Sequence, residues 1–146
     1  MLYWPLVICL VTTFYLVGLI WVIQVVHYPL FAKVGSNEFE VFHAEHSQRI
    51  LIALSIPTLL TFISSCTLLW IRPISVPDWS AWFNLALSGS FWVVTALVQV
   101  PKHGLLGKGH SAEVIAALVT SNWSRTLIWT SQGLLLLWML LVALPT

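Results

Sequence analysis

Residues 6–26 read LVICLVTTFYLVGLIWVIQVV, and this stretch decides the fold. It carries no charge, and its one amide side chain is Gln24. A helix needs about 20 mainly apolar residues to cross the hydrocarbon core of a bilayer, and this stretch supplies them. Three more such stretches follow, at about Ile50–Ile71, Ala81–Val100 and Leu127–Leu144. Each run is continuously apolar rather than alternating. That pattern argues for helices that satisfy their own backbone hydrogen bonds, and against a barrel. The expected fold is an all-α integral membrane bundle of four helices, one domain over residues 1–146. Composition agrees: 8% of residues are charged and 59% hydrophobic, where a soluble domain carries about 25% charged residues. A net charge of +1 gives no ground for nucleic-acid binding. Met1-Leu-Tyr-Trp-Pro has no basic residue and no small-x-small cleavage site follows, so the first span is expected as a retained helix.

Four spans place the connections 27–49 and 101–126 on one face and the short connection 72–80 on the other. All five histidines then share a face: His27, His43 and His46 in the first long connection, His103 and His110 in the second. Lys33, Arg49, Lys102, Lys108 and Arg125 share it too, against Arg72 alone opposite. By the positive-inside rule the histidine face is expected in the cytoplasm, in a bacterial-type inner membrane. Trp4, Trp70, Trp79, Trp82 and Trp123 lie near span ends, where aromatic residues anchor. Trp21, Trp92, Trp129 and Trp138 lie deeper and are expected to pack or to line a cavity. Cys9 and Cys66 fall inside spans and read as small buried residues, with a bridge between the first two helices as the alternative.

The halves share a pattern. Gln24-Val-Val-His27 and Gln99-Val-Pro-Lys-His103 each end a span, and each histidine lies the same distance before an arginine, Arg49 or Arg125. This register aligns His46 with Asn122 and predicts a parallel two-fold repeat about the membrane normal. Short interfacial helices are expected in both long connections. Asn37 with Glu40 resembles a capping box for the first. Ser111 caps the second, which runs through Glu113 to Val119 with Leu118 and Val119 toward the membrane, after turns at Pro101, Gly104, Gly107 and Gly109.

Glu40-x-x-His43-x-x-His46 places three ligand-type side chains on one helix face. Glu-x-x-His is also the ligand element of di-metal helical bundles, but the second half offers only Glu113 for a matching set. A mononuclear transition metal (iron or copper) on His27, His46 and His103, with His43 and Glu40 as further ligands, or a haem, is the better expectation. A polar face hydrogen-bonded to headgroups and water is the competing one. Gln24, Gln99, Gln132 and Asn84 should point into the bundle, as inter-helix hydrogen bonds or as partners that orient the imidazoles. No phosphate loop, dinucleotide fingerprint or Ser-His-Asp set is present.

Gln99-Val-Pro-Lys-His-Gly, followed by Asn122-Trp123-Ser-Arg125-Thr126 and Trp129-Thr, resembles the anthrone oxygenase-like family of small four-helix membrane proteins. The resemblance is best over about the last third of the chain. It implies an oxygenase for a flat lipophilic substrate, with Asn122, Trp123 and Arg125 at the site. The resulting expectation is a membrane oxidoreductase whose lipophilic substrate arrives from the bilayer. His27, His103, Asn122 and Arg125 would be catalytic, and Gln24, Gln99, Trp123 and Trp129 would hold the bound group. The alternative is a non-catalytic subunit of a homo-oligomer or larger membrane complex, ligating haem, pigment or metal through histidine. A histidine relay for protons or metal ions is the third reading, weakened because Gln24, Gln99 and Gln132 form no continuous ionisable path.

Overall fold

The computed structural model describes residues 3–144; Met1, Leu2, Pro145 and Thr146 of the single expected domain lie outside the described residues. Four long helices make up the chain: α1 Trp4–Lys33, α2 Phe39–Thr67, α3 Asp78–Leu106 and α4 Ala112–Ala143. All four are long and apolar enough to cross a membrane, and the protein is an all-α, multi-pass four-helix bundle. In cross-section α1 packs on α2 and α4, and α3 packs on α4 and α2, which closes a ring.

The helices outrun the apolar stretches. The expected interfacial helices are the opening turns of α2 and α4, continuous with the spans behind them. Ser111 caps α4 as read, its Oγ accepting from the Val114 amide at 3.3 Å. The Asn37 cap does not form: Glu38 holds the cap position of α2 without a side-chain bond. Leu118 is fully buried in the core rather than turned to lipid. Pro101 and Gly104 lie within α3, so the turn is left to Gly107 and Gly109, and Gly109 takes a φ of 133° that favours glycine.

Each proline in a span is accommodated. A proline ring crowds the carbonyl four residues back and supplies no N–H to it. For Pro29 and Pro101 that carbonyl belongs to Val25 and Leu97, the midpoints of two π turns at Ile23–His27 and Thr95–Gln99. For Pro57 it belongs to Ala53, and the Tyr15 hydroxyl donates to that oxygen at 3.4 Å. Backbone groups freed inside a membrane must find such partners.

The two π turns also correct the repeat. They lie 72 residues apart (23 to 95), as do Pro29 and Pro101, whereas His27 and His103 are 76 apart. In the backbone register His27 matches Gln99 and Phe31 matches His103.

Deep in the bundle, each helix contributes to one polar layer. Asn84 Nδ2 donates to Ser65 Oγ at 2.9 Å, and Gln132 Nε2 donates to Asn84 Oδ1 at 3.0 Å. Cys9 Sγ lies 3.4 Å from Ser65 Oγ. Cys9 and Cys66 are free thiols, so the alternative of a bridge falls. Gln132 and Asn84 are therefore inter-helix contacts. Between this layer and the histidine end, Trp129 stacks on Phe91 with centroids 4.0 Å apart.

Candidate functional site

The histidine end is built from the last turns of α1 and α3 and the first turns of α2 and α4. The π turn in α1 ends at His27, next to Tyr28, and the π turn in α3 ends at Gln99, one turn before His103. On α2, His43 and His46 are one turn apart and both buried. On α4, Asn122 and Arg125 are one turn apart and both buried.

The imidazoles of His27, His43, His46 and His103 form one cluster resolved into two hydrogen-bonded pairs. His27 Nε2 meets His46 Nδ1 at 2.7 Å, and His43 Nε2 meets His103 Nδ1 at 3.0 Å. The His46 and His103 rings stack with centroids 5.8 Å apart, which joins the pairs. His46 Nε2 is buried without a hydrogen-bond partner. His110 stands apart, edge-on to Phe39.

A second chain of bonds leads from α4 into this cluster. Gln24 Nε2 donates to the Val119 carbonyl at 3.1 Å, and Gln24 Oε1 accepts from Asn122 Nδ2 at 2.8 Å. That fixes Asn122 Oδ1 as the acceptor for Arg125, which donates from Nε at 2.8 Å and Nη2 at 2.6 Å. Arg125 Nη2 also reaches the Tyr28 hydroxyl at 3.2 Å, and Tyr28 lies 3.0 Å from His103 Nε2. A guanidinium only donates, so His103 Nε2 is the one neighbour that can accept the Tyr28 proton, and the tautomers that satisfy it are these. Tyr28 accepts from Arg125 and gives its O–H to His103 Nε2. His103 then carries its proton on Nδ1 and donates to His43 Nε2. The chain has one direction, from Arg125 through Tyr28 and His103 to His43.

Two clefts flank the cluster. One, about 400 Å³, lies between α1 and α2 and is walled by Val22, Val26 and Phe42, with His27, His46, Glu45 and Arg49 along it. The other, about 430 Å³, lies between α2 and α3. Its walls include Ile50, Leu51, Leu54 and Val100, and its polar lining includes Tyr28, His43, Thr95, Gln99, His103 and Arg125. Both volumes fall in the range of small-molecule sites, about 300–1,000 Å³. Leu51 and Val100 are exposed at the second cleft, so its mouth faces where lipid would lie.

Three polar groups along the second cleft have unmet hydrogen bonds. Thr95 Oγ1 and Gln99 Oε1 are buried without partners, although Gln99 Nε2 donates to Ser121 Oγ at 3.2 Å. Arg125 Nη1 has no protein partner among the described residues. Along the cleft these groups are open to water or to a bound molecule.

The residues singled out from the sequence divide. His27, His43, His46 and His103 converge, and Gln24, Asn122 and Arg125 join them through Tyr28. Gln99 lines the cleft and touches Ser121 rather than a histidine. Glu40 is exposed beside Gly109 and away from the imidazoles, because its turn of α2 lies beyond the cluster. Among the described residues no group of three or more His, Cys, Asp or Glu is arranged to hold a metal ion, the ring nitrogens being turned to one another in pairs. Trp123 is half-exposed, edge-on to Trp21, and Trp129 is a core residue stacked on Phe91, so neither lines the cleft. Tyr28 and Thr95 were missed. Tyr28 follows Gln24 by one helical turn, and that shared face was the available signal.

The chain matches no family model, and neither a curated protein nor a solved structure is significantly similar to it.

Proposed function

We propose that this protein is a membrane-embedded oxidoreductase of the oxygenase type, acting on a lipophilic aromatic substrate in the cleft between α2 and α3. The observation that carries the reading is the directed chain Arg125–Tyr28–His103–His43 along an apolar cleft that opens sideways. A substrate with a C–H made acidic by conjugation to a carbonyl, such as the ring methylene of an anthrone, needs little else. Tyr28 takes the C–H proton while passing its own to His103 Nε2, and His103 passes its Nδ1 proton to His43. The electrons left on the substrate spread onto its oxygen, where Arg125 Nη1 stabilises the charge. The carbanion reduces dioxygen and combines with it, and the peroxide anion takes back the proton held on His43, through His103 and Tyr28, to give a hydroperoxide. Loss of water from the hydroperoxide leaves a ketone. The methylene loses two hydrogens and gains one oxygen, and the other oxygen atom leaves in water, so the substrate and one O₂ balance the product and one H₂O. The positive charge that accumulates on His43 sits two bonded partners away from the guanidinium. The apolar walls admit a flat substrate from the lipid; the Thr95 hydroxyl is free to donate to the oxygen it gains, and Gln99 Oε1 is free to accept from the hydroperoxide O–H. We place this end at the cytoplasmic surface, on the lysine and arginine bias.

The test is oxygen uptake and anthraquinone formation from anthrone by the purified protein in nanodiscs, against empty discs. The expected result is one O₂ per product at a rate well above that of empty discs. His103→Ala should lower the enhancement about 10²-fold or more while the protein stays monodisperse. A wild-type rate equal to that of empty discs refutes the reading.

A further inference from the structure

We infer that the cleft between α2 and α3 takes its ligand as an anion, an amphiphile whose ionised oxygen pairs with Arg125 and whose apolar body lies along Ile50, Leu54 and Val100. The inference rests on the reading of this cleft as the substrate site and names the charge state that Arg125 selects there, the ionised form over the neutral one.

The argument is one of charge accounting. Arg125 is 4% exposed and keeps its charge at any working pH. All five acidic residues of the chain, Glu38, Glu40, Glu45, Asp78 and Glu113, are exposed. The two ion pairs among the described residues use Arg49 with Glu45 and Arg72 with Asp78. Arg125 therefore lies in the bundle with no carboxylate. Its partners are the neutral dipoles of Asn122 and Tyr28, and the Phe91 ring 5.9 Å from its central carbon. A charge inside a membrane protein is normally paired, or faces a cavity that supplies its partner. Here the cavity is present. Arg125 lines it, and Nη1 is the part of the guanidinium that no protein group occupies.

The geometry around Arg125 favours a bound ion over a side chain that could swing away. Asn122 Oδ1 grips both Nε and Nη2, and Gln24 holds Asn122 in that orientation. The guanidinium is thus pre-set with Nε and Nη2 used by protein and the N–H groups of Nη1 left open. A charged donor of this kind suits an oxygen of a carboxylate, phenolate or phosphate. The walls beyond it are aliphatic, so the rest of the ligand is a chain or ring system rather than a polar metabolite. A free amphiphile and an anionic bilayer lipid share this chemistry.

Binding to the full-length protein in phosphatidylcholine nanodiscs tests the inference, by calorimetry at pH 9 with concentrations expressed per mole of lipid. The probes are dodecanoate, 4-dodecyl-2-nitrophenolate and the neutral dodecanol. At least one anion should bind tenfold or more tighter than dodecanol, and Arg125→Gln should remove that preference while dodecanol still binds. Competition by added phosphatidylglycerol, at a level where phosphatidylcholine has no effect, would support the inference with a bilayer lipid as the source. Equal binding of all three probes with no such competition overturns it, as does an anion preference that survives in Arg125→Gln. The wild-type comparison stands whether or not that variant inserts. Oxidation of anthrone without any anion preference would refute the inference and leave the proposed function standing. An anion preference without oxidation would do the reverse.

Discussion

Tyr28 is the residue on which the site turns. It is buried, it touches both Arg125 and His103, and it is the sole bridge between the Gln24–Asn122–Arg125 clamp and the imidazoles among the described residues. Its hydroxyl has one proton and faces one obligate donor and one imidazole nitrogen, so its orientation is forced. Tyr28→Phe keeps the ring that packs beside Phe31, with centroids 5.4 Å apart, and removes only this link. Turnover of anthrone in nanodiscs should fall about 10²-fold, the lower end of what a positioned acid–base group contributes. Thermal stability should fall modestly with the fold retained, since the lost hydroxyl bonds are worth about 1–2 kcal/mol each. Full activity in this variant would remove Tyr28 from the relay. At this scale the sequence was legible where a polar side chain sat inside an apolar run. Gln24, Gln99, Asn84 and Gln132 had to face inward, and they do. It was less legible for residues in the long connections, where hydrophobicity no longer dictates a face. Glu40 and His43 are three apart on one helix, yet only His43 reaches the cluster, because fully buried Phe39 takes the inward position of that turn and leaves Glu40 exposed.

At the scale of elements, the π turns set which side chains reach the site. Each adds one residue to a helical turn, and an α-helix advances about 100° per residue. Asn84 pins the first half of α3 through Ser65 and Gln132. The extra residue at Thr95–Gln99 therefore determines where Gln99 and His103 point. Deleting Leu97, whose side chain is exposed, together with Pro101→Ala to relieve the crowding of the ring, should restore an ordinary helix. Gln99 and His103 would then swing by about 100° relative to Asn84. The expected result is a tenfold or greater loss of dodecanoate binding with retained insertion and monodispersity. Unchanged binding would mean that the π turn only accommodates the proline. The repeat in the sequence was visible through the wrong landmarks. His27 and His103 suggested a register four residues away from the one set by Pro29 and Pro101. Four residues is about one helical turn, so both registers put similar residues on the same face. Only the backbone separates them.

At the scale of the whole molecule, the two ends of the bundle differ in what they bury. The far end packs Leu6, Leu68, Leu136 and Met139 beneath the polar layer of Asn84. The near end buries the imidazoles of His43 and His46, a phenol and a guanidinium among Phe31, Phe39 and Phe91, with His27 and His103 half-buried beside them. Span number and the clustering of histidines at one end followed from apolar run lengths alone. Burial of Arg125 did not, because an arginine at the start of a span ordinarily snorkels to headgroups. That change bears on orientation. With Arg125 inside the protein, the histidine end presents Lys33, Arg49, Lys102 and Lys108 near its surface, and the far end presents Arg72, which Asp78 pairs. The bias survives the loss of one charge, and acidic residues weigh little in it. The histidine end should therefore face the cytoplasm. Ser36 lies in the turn before α2 and Ser75 in the turn before α3, both exposed and at opposite ends of the bundle. With Cys9 and Cys66 replaced by serine, Ser75→Cys should react with an impermeant maleimide in intact cells. Ser36→Cys should react only after the membrane is opened. The reverse pattern would turn the bundle over and place the relay, and the cation of Arg125, at the outer surface. The fold would stand, and the cleft between α2 and α3 would open near the outer surface instead of the cytoplasmic one.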